Sequence, residues 1–232
     1  MNNIYNTNKC NIYLYKISNE DFINEKDINS IYPELRKKEL KKIKNEKKLK
    51  EKYYSWEVLK MAIMNSYGYE FNKIGFSKSD NGKWECDKCF FSISHSNGVI
   101  AIAISNHNVG IDIEYIDKFK YKFSDVEKLN KFARRISNEF DDTIDSNNYE
   151  SKLIDVVKTW TTKESIFKLN GSNGFIPNKI ICDKVSRSYK VLSDKYIFTV
   201  TDDLNKTNMN IYDDVYLIDK EIIKLDDVKY IN

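Results

Sequence analysis

The sequence predicts an α+β fold, and three observations carry that prediction. Two long stretches, 33–66 and 150–169, repeat apolar residues at spacings of three and four, the period of a helix with one buried face. β-rich runs flank Asn97-Gly98 and fill much of the chain after Ile180. Helical and extended stretches do not alternate strictly, so the pattern is not a βαβ ladder.

The elements follow in order. Residues 10–17, CNIYLYKI, alternate enough for an opening strand. Pro33 suits a helix start. From there to about Ser66 the stripe is carried by Leu49, Tyr53, Trp56, Leu59 and Ile63, with Gly68 as terminator. Asp80-Asn81-Gly82-Lys83 is a turn. Phe90–Ser96 and Val99–Ile104 form a hairpin around Asn97-Gly98, and the second run is apolar on both faces, as in a covered central strand. Val109–Glu114 is a further strand. Helices are expected over 124–139 and 150–169, the latter striped by Leu153, Val156, Val157, Trp160 and Phe167. Residues 182–185, 189–192, 196–200 and 215–219 read as β.

Composition narrows the class. The chain has 232 residues, 41% of them hydrophobic, with 16 Tyr and 12 Phe, which excludes a disordered chain. No stretch of eighteen apolar residues occurs, so no membrane-spanning helix is expected. Met1 to Asn11 is polar and lacks an apolar signal core; the expectation is a cytoplasmic protein. Four Cys in a chain of this length do not make a disulfide scaffold. Two Pro and seven Gly leave no linker-like tract, so any two halves should pack tightly.

The net charge of +3, from 38 basic and 35 acidic residues, hides an asymmetry. Residues 36–52, RKKELKKIKNEKKLKEK, hold ten basic and three acidic residues, while the remainder is slightly acidic. Such a segment is either a solvated helix face or a site for phosphates. Lys outnumbers Arg 34 to 4, a skew that AT-rich coding produces, and many of these lysines need no individual role. No stacking or base-reading motif accompanies the segment, which argues against nucleic acid.

Three constellations carry chemistry. Asp112 and Glu114 are two apart on a strand and share a face, while Ile111 and Ile113 share the other. Two half-buried carboxylates side by side call for a cation; the alternative is an edge strand with a polar outer face. Glu164 and Lys168, in Trp160-Thr161-Thr162-Lys163-Glu164-Ser165-Ile166-Phe167-Lys168, are four apart on a helix, which alone could be an ordinary ion pair. Three carboxylates from two elements suit Mg²⁺, whose shell is commonly completed by water and substrate phosphate, with a nearby Lys neutralising the phosphate. Ser94-His95-Ser96, at a strand end, can meet an anion or be structural. Serine-hydrolase chemistry is disfavoured, because no GxSxG elbow exists. Cys86-Asp87-Lys88-Cys89 is a CxxC that could be a redox pair, half a zinc site or two incidental reduced thiols; with Cys10 and Cys182 remote and His95 already taken by the Ser-His-Ser motif, the last is favoured.

In order and spacing these pieces resemble the Sfp-type 4′-phosphopantetheinyl transferases. The pattern FNISHS is matched by Phe91 to Ser96, GIDIE by Gly110 to Glu114, and WxxKESxxK by Trp160, Lys163, Glu164, Ser165 and Lys168. The resemblance covers about residues 33–180 and implies a reaction. Coenzyme A gives its 4′-phosphopantetheine arm to a serine of an apo acyl or peptidyl carrier protein, releasing adenosine 3′,5′-bisphosphate. It implies that Asp112, Glu114 and Glu164 hold Mg²⁺, with Mn²⁺ as a possible substitute. Glu164 would also take the serine proton, and Lys168 would stabilise the pyrophosphate and leaving group. Ser94, His95, Lys83 and Lys163 would join the coenzyme contacts, and Lys52, with Lys37 and Lys41, would hold its 3′-phosphate.

The implied fold is two similar α+β halves related by a pseudo-twofold axis, divided as 1–108 and 109–232, with the active site between them, in a monomer. Three departures stand out. Trp84 replaces the usual Pro after Gly82-Lys83, Arg135-Ile136-Ser137 replaces a Phe-Phe-Ser segment near the carrier surface, and Gly171-Ser172-Asn173-Gly174 replaces a shorter turn. The competing readings are a coenzyme A- or nucleic acid-binding module without catalysis and a degenerate transferase.

Overall fold

The computed structural model describes residues 10–141, 144, 148–171, 174–182, 185–203, 214–218 and 229–231. The readings made for residues 1–9, Ser172, Asn173, Asp183, Lys184 and Asp219 lie outside the described residues. The fold mixes α and β, as expected, and divides into two compact units. The first is Met1–Asn106 with Ile211–Ile222, and the second is His107–Asn210 with Ile223–Asn232. No helix among the described residues is long and apolar enough to cross a membrane.

The first unit is built on a sheet of order β4-β5-β1-β9, with β1 Asn11–Lys16, β4 Phe90–Ser96, β5 Val99–Ser105 and β9 Asp214–Ile218. β5 runs antiparallel to both β4 and β1, and β9 joins β1 in parallel. Every residue of β5 is buried, as its two-sided apolar pattern requires. Asn97 and Gly98 both take positive φ, 46° and 80°, the conformation a two-residue hairpin turn demands. Helix α3, Glu46–Tyr67, lays Trp56, Leu59 and Ile63 against Ile100, Ile102, Ile104 and Phe91. Each such side chain contributes about 1.5–3 kcal/mol on burial. Gly68 ends the helix in the left-handed region, with its N–H on the Met64 carbonyl. A small hairpin, β2 Phe76–Lys78 and β3 Trp84–Cys86, carries the turn that includes Lys83.

The second unit has an antiparallel sheet of order β10-β7-β8-β6: β6 Val109–Tyr115, β7 Val185–Val191, β8 Tyr196–Asp202 and β10 Lys229–Ile231. Helix α6, Tyr149–Asn170, packs on this sheet. Its Leu153, Val156 and Val157 enter a core with Ile197 and with Phe119 and Leu129 of two shorter helices, α4 Ile116–Lys122 and α5 Val126–Ile136. Buried hydroxyls lace helix to sheet: Thr161 meets Thr199 at 2.7 Å, and Ser165 meets Thr201 at 2.6 Å.

Several boundaries differ from the periodicity. The stretch from Pro33 to Ser66 is two helices, α2 Glu34–Lys41 and α3, because the Asn45 side chain accepts from the Lys48 N–H and starts a new helix. Helix α1, Glu25–Ser30, has no apolar stripe and rests on a capping box between Asn24 and Asp27, so it left no periodic signal. α4 also went unread, being two turns long. Residues 180–182 are not a strand; a 3₁₀ turn, Pro177–Lys179, precedes them.

Candidate functional site

In the second unit the site begins with a glycine. Gly110, Asp112 and Glu114 share one face of β6, and α6 lies across that face. A Cβ on Gly110 would collide with the Ser165 carbonyl and come within 2.8 Å of the Leu169 nitrogen. Only glycine allows so close an approach, which brings Glu164 and Lys168 of α6 to the acids of β6.

There the charges interlock. Lys168 Nζ lies 2.6 Å from Asp112 Oδ1, 3.1 Å from the Ile111 carbonyl and 3.9 Å from Glu164 Oε2. Lys118 of α4 donates to both Glu114 oxygens, at 2.9 and 3.0 Å. Asp112 and Glu114 are 3% and 9% exposed, so β6, although the outermost described strand of its sheet, does not turn these acids to open solvent. Burial pushes the Glu164 carboxyl up from its ordinary 4.5 to about 7, and Asp112 and Glu114 push the same way against the pull of Lys168 and Lys118.

As hard oxygen donors, the carboxylates of Asp112, Glu114 and Glu164 fit Mg²⁺ or Mn²⁺ chemically. Among the described residues, no three His, Cys, Asp or Glu side chains are gathered closely enough to hold a metal ion. Lys168 and Lys118 supply the compensating charge instead.

Lys163, next to Glu164, is placed elsewhere. It is fully buried, paired with Asp141 at 2.6 Å, and donates to the carbonyls of Pro177 and Ile180 at 3.1 Å. Its three donors are thereby engaged, and it ties α6 to the loops on either side. Trp160 of the same motif packs against Phe119, Phe132 and Phe175.

In the first unit, His95 and Ser94 are neighbours on β4 and so face opposite sides. His95 Nδ1 lies 3.3 Å from Glu51 of α3, and the other Glu51 oxygen accepts from the Gly98 N–H. Ser94 is buried. Lys52, one residue after Glu51, is half-buried; burial first, then Arg36 and Lys48, hold its ammonium below the ordinary range. A cation held in that way welcomes an anion. Lys37 pairs with Glu34 and Lys41 is exposed, and neither is among the charges that weigh most on Lys52. Arg36 is buried over Trp56 and donates to the Lys52 carbonyl at 2.6 Å. Burial also lowers Lys83, in the β2–β3 turn.

Sequence reasoning missed Lys118, Glu51 and Asp141. Lys118 stands four after Glu114, but across a strand–helix boundary. Glu51 and Asp141 lie far along the chain from His95 and Lys163, where no local period connects them.

No family model matches the chain. Over 111 residues the chain is 36% identical to the 4'-phosphopantetheinyl transferase gsp of Aneurinibacillus migulanus, a match taking in 47% of this chain and 44% of that protein. The chain thus spans less than half the length of the curated relative that it matches. Over that stretch the chain is similar to a 4′-phosphopantetheinyl transferase.

Proposed function

We propose that the chain is a 4′-phosphopantetheinyl transferase, moving phosphopantetheine from coenzyme A to a serine of an apo acyl or peptidyl carrier protein and releasing adenosine 3′,5′-bisphosphate. The observation that carries this reading is the convergence of Asp112, Glu114, Glu164 and Lys168 where α6 crosses β6. Mg²⁺ or Mn²⁺, on binding, would have to draw Asp112, Glu114 and Glu164 closer together than they stand here, and would then neutralise charge on the coenzyme's pyrophosphate.

Glu164 takes the proton of the attacking serine, directly or through water, and a carboxyl that titrates near neutrality suits that task. Lys168 exchanges part of its contact with Asp112 for the pyrophosphate oxygens and stabilises the leaving group. In the first unit, Lys52 and His95 bind the coenzyme's phosphates, Lys52 being the candidate for the 3′-phosphate, and Lys83 approaches the nucleotide; the Ser94 side chain, buried on the other face of β4, does not share the His95 contact. Lys37 and Lys41 contribute at most long-range attraction. Lys163 positions α6 and makes no coenzyme contact.

Each unit sets one 22-residue helix against a four-stranded sheet, which supports reading them as two similar halves. We take the enzyme to be a cytoplasmic monomer; its four cysteines are thiols, as a reducing compartment favours.

The test incubates the full chain with coenzyme A, Mg²⁺ and an apo carrier protein, and weighs the carrier. A gain of one phosphopantetheine that Glu164→Gln abolishes is expected. No gain on any acyl or peptidyl carrier, with Mg²⁺ or Mn²⁺, overturns the reading. Coenzyme A binding without transfer would leave a binding module.

A further inference from the structure

The thiols of Cys86 and Cys89 have no part in the chemistry above. Cys86 ends β3, Cys89 immediately precedes β4, and the Asp87-Lys88 turn joining them is exposed. Both cysteines are unoxidised, with their sulfurs 3.6 Å apart, and Cys86 Sγ lies 3.2 Å from the Cys89 carbonyl. The turn is anchored from outside. The Gly75 N–H donates to Asp87 Oδ1 at 3.0 Å, and the Asp87 N–H donates to the Gly75 carbonyl at 3.1 Å. The two sulfurs are therefore held together by backbone as well as by rotamer. Cys86 is half-buried and reachable, whereas Cys89 is 8% exposed and belongs to the core of the first unit. A disulfide is about 2.05 Å long, so closure asks for roughly 1.5 Å of approach.

We propose that Cys86 and Cys89 are a thiol–disulfide exchange site, closing to an intramolecular disulfide at the expense of small-molecule disulfides such as oxidised glutathione. Cys86 thiolate attacks one sulfur of the small disulfide; that S–S bond breaks, a mixed disulfide forms and one thiolate departs, taking up a proton. Cys89 then loses its proton and attacks Cys86 Sγ, expelling the second thiol. The protein dithiol is oxidised and one small disulfide is reduced to two thiols.

The roles follow from environment. The hydrogen bond with Cys89 first, then backbone N–H groups of Lys88 and Cys89, hold the Cys86 thiol below its ordinary value, as an attacking thiol requires. The same pairing and burial push the Cys89 thiol up, so it waits protonated as the resolving partner. Nothing in this rests on the transferase reading.

The test uses the full chain in glutathione buffers of graded oxidation, with free thiols trapped by alkylation and the protein cut with trypsin. Cleavage after Lys83, Lys88 and Lys118 separates 84–88 from 89–118, so the two peptides stay joined only through a Cys86–Cys89 bond. The joined pair should appear as the buffer is oxidised and vanish on reduction. Cys86→Ser or Cys89→Ser should abolish it, and Cys182→Ser should leave it unchanged. Absence of the joined pair in every buffer overturns the proposal, even if the variants fail to fold, because the wild type alone decides. So does a glutathione adduct that persists on Cys86, a bond from either cysteine to Cys10 or Cys182, or a metal ion holding both thiols in the purified protein.

Discussion

Gly110 lies directly beneath the backbone of Ser165, so close that any side chain at Gly110 would strike the Ser165 carbonyl. Everything at the acidic cluster depends on this approach, because it sets how far Lys168 must reach to meet Asp112. Gly110→Ala forces α6 away from β6 along backbone that cannot yield locally. We expect a loss of about 1–3 kcal/mol or more in urea unfolding. An unchanged midpoint would show that helix and strand are not in contact as described.

Glu164 makes the stability of the metal-free protein depend on pH. Its carboxyl titrates at about 7 in the folded chain against an ordinary 4.5, so the folded state favours the protonated form. That contribution is fully present below pH 4.5 and is lost as pH rises through about 7. For a group with some solvent access the change is on the order of 2 kcal/mol. With a chelator present, unfolding free energy should fall across this window, and Glu164→Gln should flatten the slope. Equal slopes in the two proteins would refute the assignment.

Two of the three chemical constellations were legible because each obeys a local period. Asp112 and Glu114 repeat at two on a strand, and Glu164 and Lys168 at four on a helix. What the periods could not show was that Lys168 would prefer Asp112 to Glu164, since that choice depends on where Gly110 lets the helix settle. Lys163, expected among the coenzyme contacts because it stands beside Glu164 in a motif, is instead buried against Asp141. Its helical phase held the correction, for it lies seven residues after Val156 and three before Ile166, on the buried stripe. The single long helix expected over 33–66 failed at Asn45, whose side chain competes with helix continuity in a run otherwise rich in helix-forming Lys and Glu.

Lys163 and Asp141 form a buried ion pair, and breaking it from one side strands a charge. Lys163→Ala should cost about 3–5 kcal/mol in chemical unfolding. Asp141→Leu combined with Lys163→Met should recover much of that loss, since apolar replacement of both partners removes the stranded charge. Were Lys163 instead a coenzyme ligand, the double variant would fold well and still bind coenzyme A poorly, as titration calorimetry would reveal.

Lys52 offers the reverse signature, that of a residue kept for binding at some cost to the fold. Burial and the neighbouring charges of Arg36 and Lys48 disfavour its charged form. Because its folded pKa is lowered, the ligand-free protein gains stability as pH climbs from that lowered value through the ordinary 10.5. Lys52→Met keeps the apolar stem, removes the ammonium, and leaves intact the backbone carbonyl that Arg36 uses. It should therefore leave neutral-pH stability equal or raise it by up to about 1 kcal/mol. The same change should weaken coenzyme A binding, and weaken it less for dephospho-coenzyme A, which lacks the 3′-phosphate. Calorimetry on the two ligands separates the possibilities: equal losses would move the 3′-phosphate away from Lys52, and no loss would remove Lys52 from the coenzyme site.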